Sequence, residues 1–179
     1  GSSTVSNTDG SITSQVRANT SAGCSIVTWT GDNSTATIGH GLNATLGLVI
    51  VKNRSISSNW NVWFSGYSAD EYLLLNLTNA KNTFSGQWGS TPTSTVFGVG
   101  AFSSLNGNGN NLVAYCFAPV AGYSAFGSYT GNGSSDGPFV YTGFRPNDDK
   151  ESFTGLYAEK FGVVKPARVR RHWKEGRDP

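Results

Sequence analysis

His40 and His172 are the two imidazoles that could act as a general base in this chain. A nucleophilic triad needs a histidine within hydrogen-bond reach of a serine or cysteine, and a third group that orients the ring. His40 lies between Gly39 and Gly41, a pattern typical of a turn, whereas His172 lies in a basic terminal segment. We therefore expect His40 to be a local hydrogen-bonding group, and the sequence predicts no catalytic triad.

Carboxylates are few, and most of them lie in predicted loops. Asp70 and Glu71 are adjacent, so on a strand they would face opposite ways, whereas glycoside hydrolysis needs two acids in one cleft. Asp32 and Asp136 lie in turn-like segments, where turn formation is the favoured interpretation and calcium ligation the alternative. We expect no metal, no cofactor and no enzymatic activity.

The two cysteines, Cys24 and Cys116, match no metal-binding or redox spacing. Each lies within an apolar run, where a free thiol packs as a small apolar side chain. Two buried free thiols are the favoured interpretation, because lone disulfides without a cysteine pattern are uncommon. A single disulfide between Cys24 and Cys116 is the alternative.

Aromatic side chains provide the candidate contact site, since Trp60, Trp63 and Tyr67 lie close together in the sequence. Residues of a strand alternate between its two faces, so Trp60, Val62 and Phe64 should share one face and Trp63 the other. One of the two indoles should therefore be partly exposed. Exposed indoles bind sugar faces and partner subunits, so Trp60, Trp63 and Tyr67 are predicted ligand or partner contacts, with a core position as the alternative.

The composition favours strands joined by tight turns, with 23 glycines, 12% aromatic residues and only 13% charged residues. Residues 1–146 contain five basic and five acidic side chains, so this part of the chain is formally neutral. Nucleic-acid binding needs clustered lysines and arginines, and we therefore expect no nucleic-acid partner. No apolar run reaches the roughly 18 residues that a membrane-spanning helix needs, so we expect no membrane-spanning segment.

Short β-rich runs separated by turn residues predict an all-β fold, a β-sandwich or jelly-roll-like antiparallel domain over residues 24–146. Residues 1–23 are expected to form a linker or an edge strand, and residues 147–179 a charged C-terminal tail. The nine candidate strands are Cys24–Trp29, Thr35–Ile38, Leu46–Lys52, Trp60–Phe64, Tyr72–Leu77, Thr95–Val99, Leu112–Phe117, Tyr123–Tyr129 and Phe139–Thr142.

An internal repeat links two parts of the chain. Residues 22–31 have the sequence AGCSIVTWTG, and residues 121–131 have the similar sequence AGYSAFGSYTG. Each copy precedes a polar turn and a second run with a glycine near its end. The pattern predicts one hairpin used twice, either in a duplicated sandwich or in a second unit that is cut short, since the spacing is too long for a solenoid repeat.

Residues 165–179 of the C-terminal tail are strongly basic and cannot form a core strand. Ordering them would cost roughly 1–2 kcal/mol of backbone entropy per residue, so a partner must hold them in place. We expect residues 165–179 to lie along another subunit or another protein of the particle, with a solvated, disordered end as the alternative. Val169 and Trp173 would be apolar anchors, and Arg168, Arg170 and Arg171 would meet acidic groups.

Six segments in a fixed order carry a resemblance to a known family: 22–31 (AGCSIVTWTG), 38–42 (IGHGL), 49–52 (VIVK), 72–77 (YLLLNL), 113–118 (VAYCFA) and 122–146 (GYS through GFRP). Over roughly residues 10–146, the chain resembles a β-rich repeat domain of structural and tail-fibre proteins of marine tailed phages, found beside concanavalin A-like lectin domains. The resemblance implies a virion-surface β domain without a known reaction, and it supplies no binding residues.

Two functions follow from these observations. The first is a non-catalytic module of a phage tail fibre, appendage or head decoration, acting through contacts with copies of itself and other virion proteins. The alternative is a lectin-like module that binds a host surface glycan through exposed aromatics and loop amides. Low charge leaves sheet edges open to pairing, so we expect a homo-oligomer, located on a virion surface or otherwise extracellular.

Overall fold

Antiparallel strands form nearly all of the regular structure in the computed structural model, which describes residues 3–141 and residue 143. The strands are β1 Val5–Asn7, β2 Ser14–Asn19, β3 Cys24–Thr30, β4 Ala36–Gly39, β5 Leu48–Asn53, β6 Asn61–Phe64, β7 Glu71–Leu74, β8 Asn82–Thr83, β9 Val96–Val99 and β10 Asn111–Phe117, with one short helix, α1 Ser103–Asn106, before β10.

The strands form two sheets of unequal size. The large sheet has the order β1-β2-β3-β10-β5-β6-β7-β8, and β4 pairs with β9 in a two-stranded sheet. All pairings between named strands are antiparallel, and β10 fills the centre of the large sheet between β3 and β5. The predicted all-β sandwich is therefore confirmed.

The main core lies between the two sheets. Alternate residues of β3, β5 and β10 point inward, and they pack against Ile38 of β4 and Phe97 of β9. Phe97 is fully buried, and its ring meets Trp29 edge-on at 5.8 Å between ring centroids. Burying a side chain of this size contributes roughly 1.5–3 kcal/mol, so this layer supplies much of the stability of the fold.

Asn106, at the end of α1, joins the helix to the turn between β3 and β4. Its amide oxygen accepts a hydrogen bond from Trp29 Nε1 at 3.0 Å, and its amide nitrogen donates to Asp32 Oδ1 and to the Ser34 carbonyl, both at 2.8 Å. The side chain is fully buried, and these bonds use both amide hydrogens and one oxygen acceptor site. The amide fixes the turn against the core.

The N-terminal residues form strands, which is one of the two alternatives that the sequence offered for residues 1–23. Val5–Asn7 is the edge strand, and Ser14–Asn19 pairs with β3 along its length. Val16 is buried in the core beside its cross-strand partner Val27, because alternate residues of β2 point inward. The β domain therefore begins at Val5 rather than at Cys24.

The first seven predicted strands are present, and the predicted repeated hairpin is wrong. In the first copy, β3 and β4 belong to different sheets and do not pair with each other. In the second copy, Tyr123–Tyr129 and the described part of Phe139–Thr142 form no strand, and a single bridge joins Val120 to Ser124. A strand needs a paired neighbour, and both sides of β3 are already occupied by β2 and β10.

Candidate functional site: the outer face of the large sheet

His40 is a buried local hydrogen-bonding group, as the sequence predicted. The Leu42 backbone N–H donates to His40 Nδ1 at 3.3 Å, and the whole residue is inaccessible to solvent. Burial lowers the pKa of the His40 imidazole, because the protein interior disfavours its charged form. The imidazole therefore serves the turn after β4.

Asp32 and Asp70 stabilise loops through hydrogen bonds, and Glu71 forms an ion pair at the surface. Asp32 Oδ1 accepts hydrogen bonds from the backbone and hydroxyl of Ser34, which lower the pKa of Asp32. Asp70 accepts from a loop N–H at 2.7 Å, whereas Glu71 pairs with Lys81, and this bond lowers the pKa of Glu71. Within the described residues, no three His, Cys, Asp or Glu side chains are grouped to hold a metal ion.

Asp136 lies in a turn, and the two cysteines are not joined by a disulfide. The Asp136 backbone N–H donates to Ser134 Oγ at 3.2 Å, as expected for a turn. Cys24 and Cys116 are free thiols, so the disulfide alternative is not formed. Cys116 is fully buried and Cys24 only partly, and burial raises the pKa of the Cys116 thiol.

The three aromatic candidates are divided between the two faces of the large sheet. Trp63 is only 4% exposed in the main core, and its Nε1 donates to the Ser68 carbonyl at 3.2 Å. Trp60 lies on the opposite face and is partly exposed, which confirms that one of the two indoles reaches the surface. Tyr67 is half-buried beside Phe64, with 4.5 Å between ring centroids.

A continuous apolar row crosses the face of the large sheet that points away from the two-stranded sheet. The strand register places these residues side by side from β3 to β7: Ile26, Tyr115, Ile50, Val62 and Leu73. A second row runs beside the first and contains Cys24, Phe117, Leu48 and Phe64. We call these two rows, together with Trp60, the outer face.

Aromatic rings form the surface of the outer face. Trp60 lies over Tyr115 with the ring planes 24° apart, and Phe126, from the segment after β10, packs near Phe117. Both rings of the first pair are partly exposed, and Ile26 is 48% exposed. Among the described residues, no further sheet covers this face.

Charged groups lie at the margins of the outer face. The strand register places Arg17 of β2 and Lys52 of β5 on this side of the sheet. The Lys52 ammonium group is held by the Ser58 carbonyl at 2.6 Å, which directs it toward the neighbouring loop. The centre of the outer face is therefore apolar and without formal charge.

Ile26 and Tyr115 were not predicted as contact residues from the sequence. Their strands contain a signal, because β5 (LVIV) and β10 (LVAYCF) are apolar at consecutive positions rather than alternate ones. Such runs are typical of strands whose two faces are both covered. The predicted subunit contacts Arg168, Val169, Arg170, Arg171 and Trp173 lie outside the described residues.

Comparison with known proteins gives one match. The family model described as "Domain of unknown function (DUF7483)" matches residues 1–148. No curated protein and no solved structure matches the chain. In the part of the chain that the structure describes, no helix has the length and apolar character needed to cross a membrane.

Proposed function

The chain belongs to the DUF7483 family, and we propose that it is a non-catalytic structural module of a phage virion surface, acting through contacts with copies of itself. The observation that carries the proposal is the outer face, which is apolar, rich in aromatic rings and partly exposed. The placement in a tail fibre, appendage or head decoration is supported by the resemblance of the six sequence segments.

The exposed part of the outer face, at Ile26, Trp60 and Tyr115, supports a partner over this face. Leu48 and Ile50 are only 6% and 7% exposed beneath the aromatic rings, so Ile26 and the rings form the accessible surface of the outer face. Exposed apolar side chains that lie side by side are a common feature of interaction sites. A partner that covers Ile26 would remove its exposed half from water.

A second copy of the chain is the partner that the charge distribution favours. The outer face has no central charge that would require a complementary group of opposite sign. Two copies related by a two-fold axis can therefore bring their outer faces together without placing like charges against each other at the centre. Exposed aromatic residues of the segment after β10, Tyr123, Tyr129 and Tyr141, add further apolar surface to each copy.

Contact through the face is favoured over pairing at the sheet edges. The edge strands β1 and β8 are only three and two residues long. Short edge strands are one of the ways in which natural sheets avoid pairing with other chains. The edges of the large sheet therefore offer little backbone for strand addition, and the side chains of the outer face are the surface that a second copy would bind.

Hydroxyl-radical footprinting of the full chain tests this proposal. At a concentration where the chain associates, Trp60 and Tyr115 should be oxidised more slowly than at high dilution, while exposed Phe84, on another side of the domain, should react equally at both concentrations. Equal protection of all three side chains, or protection of none, would contradict the proposed contact. Labelling of intact particles by an antibody against the chain tests the virion location separately.

A further inference from the structure

A cleft opens on the inner side of β6 and β7, away from the outer face. It has a volume of about 460 Å³ and lies between these strands, α1 and the loop that precedes β6. Asn59, Asn61, Tyr72, Phe84, Gln87 and Phe102 line it, together with serines. The volume is within the range of roughly 300–1,000 Å³ that is typical of small-ligand sites.

Two buried amides lie against each other in the wall of the cleft. Gln87 is 6% exposed and Asn61 is 2% exposed, and Gln87 Nε2 donates to Asn61 Oδ1 at 3.1 Å. Asn61 Nδ2 in turn donates to the Asn59 carbonyl at 3.4 Å. Within the described residues, no donor reaches Gln87 Oε1, so this deeply placed acceptor can take a hydrogen bond from a ligand. An acceptor in this position favours a ligand with hydroxyl or N–H groups.

Aromatic side chains border the same cleft. Phe84 is 54% exposed, and its ring meets Phe102 edge-on at 5.1 Å between centroids. An exposed ring of this kind can pack against the apolar face of a ligand while amides and hydroxyls bind its polar groups. The cleft thus combines an apolar surface with hydrogen-bonding groups that are both donors and acceptors.

The lining contains no Lys, Arg, His, Asp or Glu side chain. Phosphates, carboxylates and cations need charged partners or a cluster of ligands when they are bound, and this cleft offers neither. A neutral sugar matches it, because each hydroxyl both donates and accepts hydrogen bonds and each ring has an apolar C–H face. We propose that the cleft binds a neutral saccharide, independently of the contact between copies through the outer face.

Titration calorimetry of the full chain with neutral trisaccharides tests the site. The probes are linear trimers of glucose, galactose, mannose and N-acetylglucosamine, with sialyllactose as a charged comparison. Phe84→Ala should weaken binding of the neutral probe by about 2- to 13-fold, since an aromatic contact of this type is worth about 0.5–1.5 kcal/mol. Phe84 is largely exposed, so this variant should remain folded.

Val5→Ala is the matched control, because Val5 is 54% exposed like Phe84 but lies on the edge strand, outside the cleft. Gln87→Leu, checked by circular dichroism, removes the inner amide at similar volume and should also weaken binding. Loss of binding in Phe84→Ala with wild-type binding in Val5→Ala supports the cleft. No binding of any neutral probe at 10 mM, tighter binding of the charged probe, or equal loss of binding in Val5→Ala would overturn the proposal.

Discussion

Asn106→Ala removes a buried amide that connects α1, β3 and the turn after β3. Three hydrogen bonds are lost: one from Trp29 Nε1, and two that Asn106 donates to Asp32 and to the Ser34 carbonyl. Water can replace the amide at Asp32, which is exposed. It cannot easily reach Trp29, which is 4% exposed, so the indole N–H should be left without an acceptor.

The expected loss of stability is about 3 kcal/mol. A buried donor left unsatisfied costs about 1–3 kcal/mol, and a lost bond to a partly accessible carbonyl such as that of Ser34 adds about 0.5–1.5 kcal/mol. The exposed bond to Asp32 adds little, because water competes for it. Asn108→Ala is the matched control, since Asn108 is exposed in the loop after α1 and should change stability by less than about 0.5 kcal/mol.

Urea unfolding followed by tryptophan fluorescence measures both variants, and the free energy of unfolding is obtained from the midpoint and slope. We expect Asn106→Ala to unfold at clearly lower urea concentration than wild type, with an unchanged slope. An Asn106→Ala variant as stable as wild type, or an Asn108→Ala variant that loses as much stability as Asn106→Ala, would show that the Asn106 amide does not stabilise the turn.

Three further predictions concern the core. The pKa of His40 is lowered in the folded state, so the unfolded chain binds the proton more readily. The free energy of unfolding should therefore fall as the pH drops below about 6.5. Urea unfolding of the His40→Asn variant should lack that part of the pH dependence. In the native chain, Ellman's reagent should modify Cys24 and leave Cys116 unmodified until urea is added, because Cys116 is fully buried; rapid native modification of both thiols would contradict this. Gly98→Ala should destabilise the fold by about 1–3 kcal/mol, because the new Cβ would lie 2.2 Å from the Trp88 carbonyl oxygen. Gly127→Ala is the control, since nothing lies within 4 Å of its new Cβ, and it should leave the free energy of unfolding unchanged in the same assay.

Local sequence patterns predicted seven of the ten strands and the different positions of the two indoles. Alternation along β6 was enough to assign Trp60 and Trp63 to opposite faces, because it depends only on the two-residue period of a strand. Alternation does not specify which strands pair. The placement of β4 beside β9 and of β10 between β3 and β5 depends on long-range packing.

The outer face and the cleft could not be assembled from sequence for the same reason. Ile26 and Tyr115 are neighbours only because β3 and β10 pair in one register, and Asn61 meets Gln87 across the turns that follow β6 and β7. The repeated sequence was misleading, because residues 121–131 resemble β3 without having the neighbouring strands that β3 has. Sequence similarity in a strand predicts its propensity, whereas pairing depends on its neighbours.

Sedimentation velocity of the full chain, comparing wild type with Ile26→Glu and Val5→Glu, tests whether copies associate through the outer face. Both changes place a carboxylate at a half-exposed apolar side chain, 48% exposed for Ile26 on the outer face and 54% exposed for Val5 on the edge strand. We predict that wild type and Val5→Glu associate alike, and that Ile26→Glu weakens the contact by about 30-fold, equivalent to roughly 2 kcal/mol for a charge in an apolar interface. A wild-type chain that stays monomeric at 100 µM, or an Ile26→Glu variant that associates as tightly as wild type, would contradict the account.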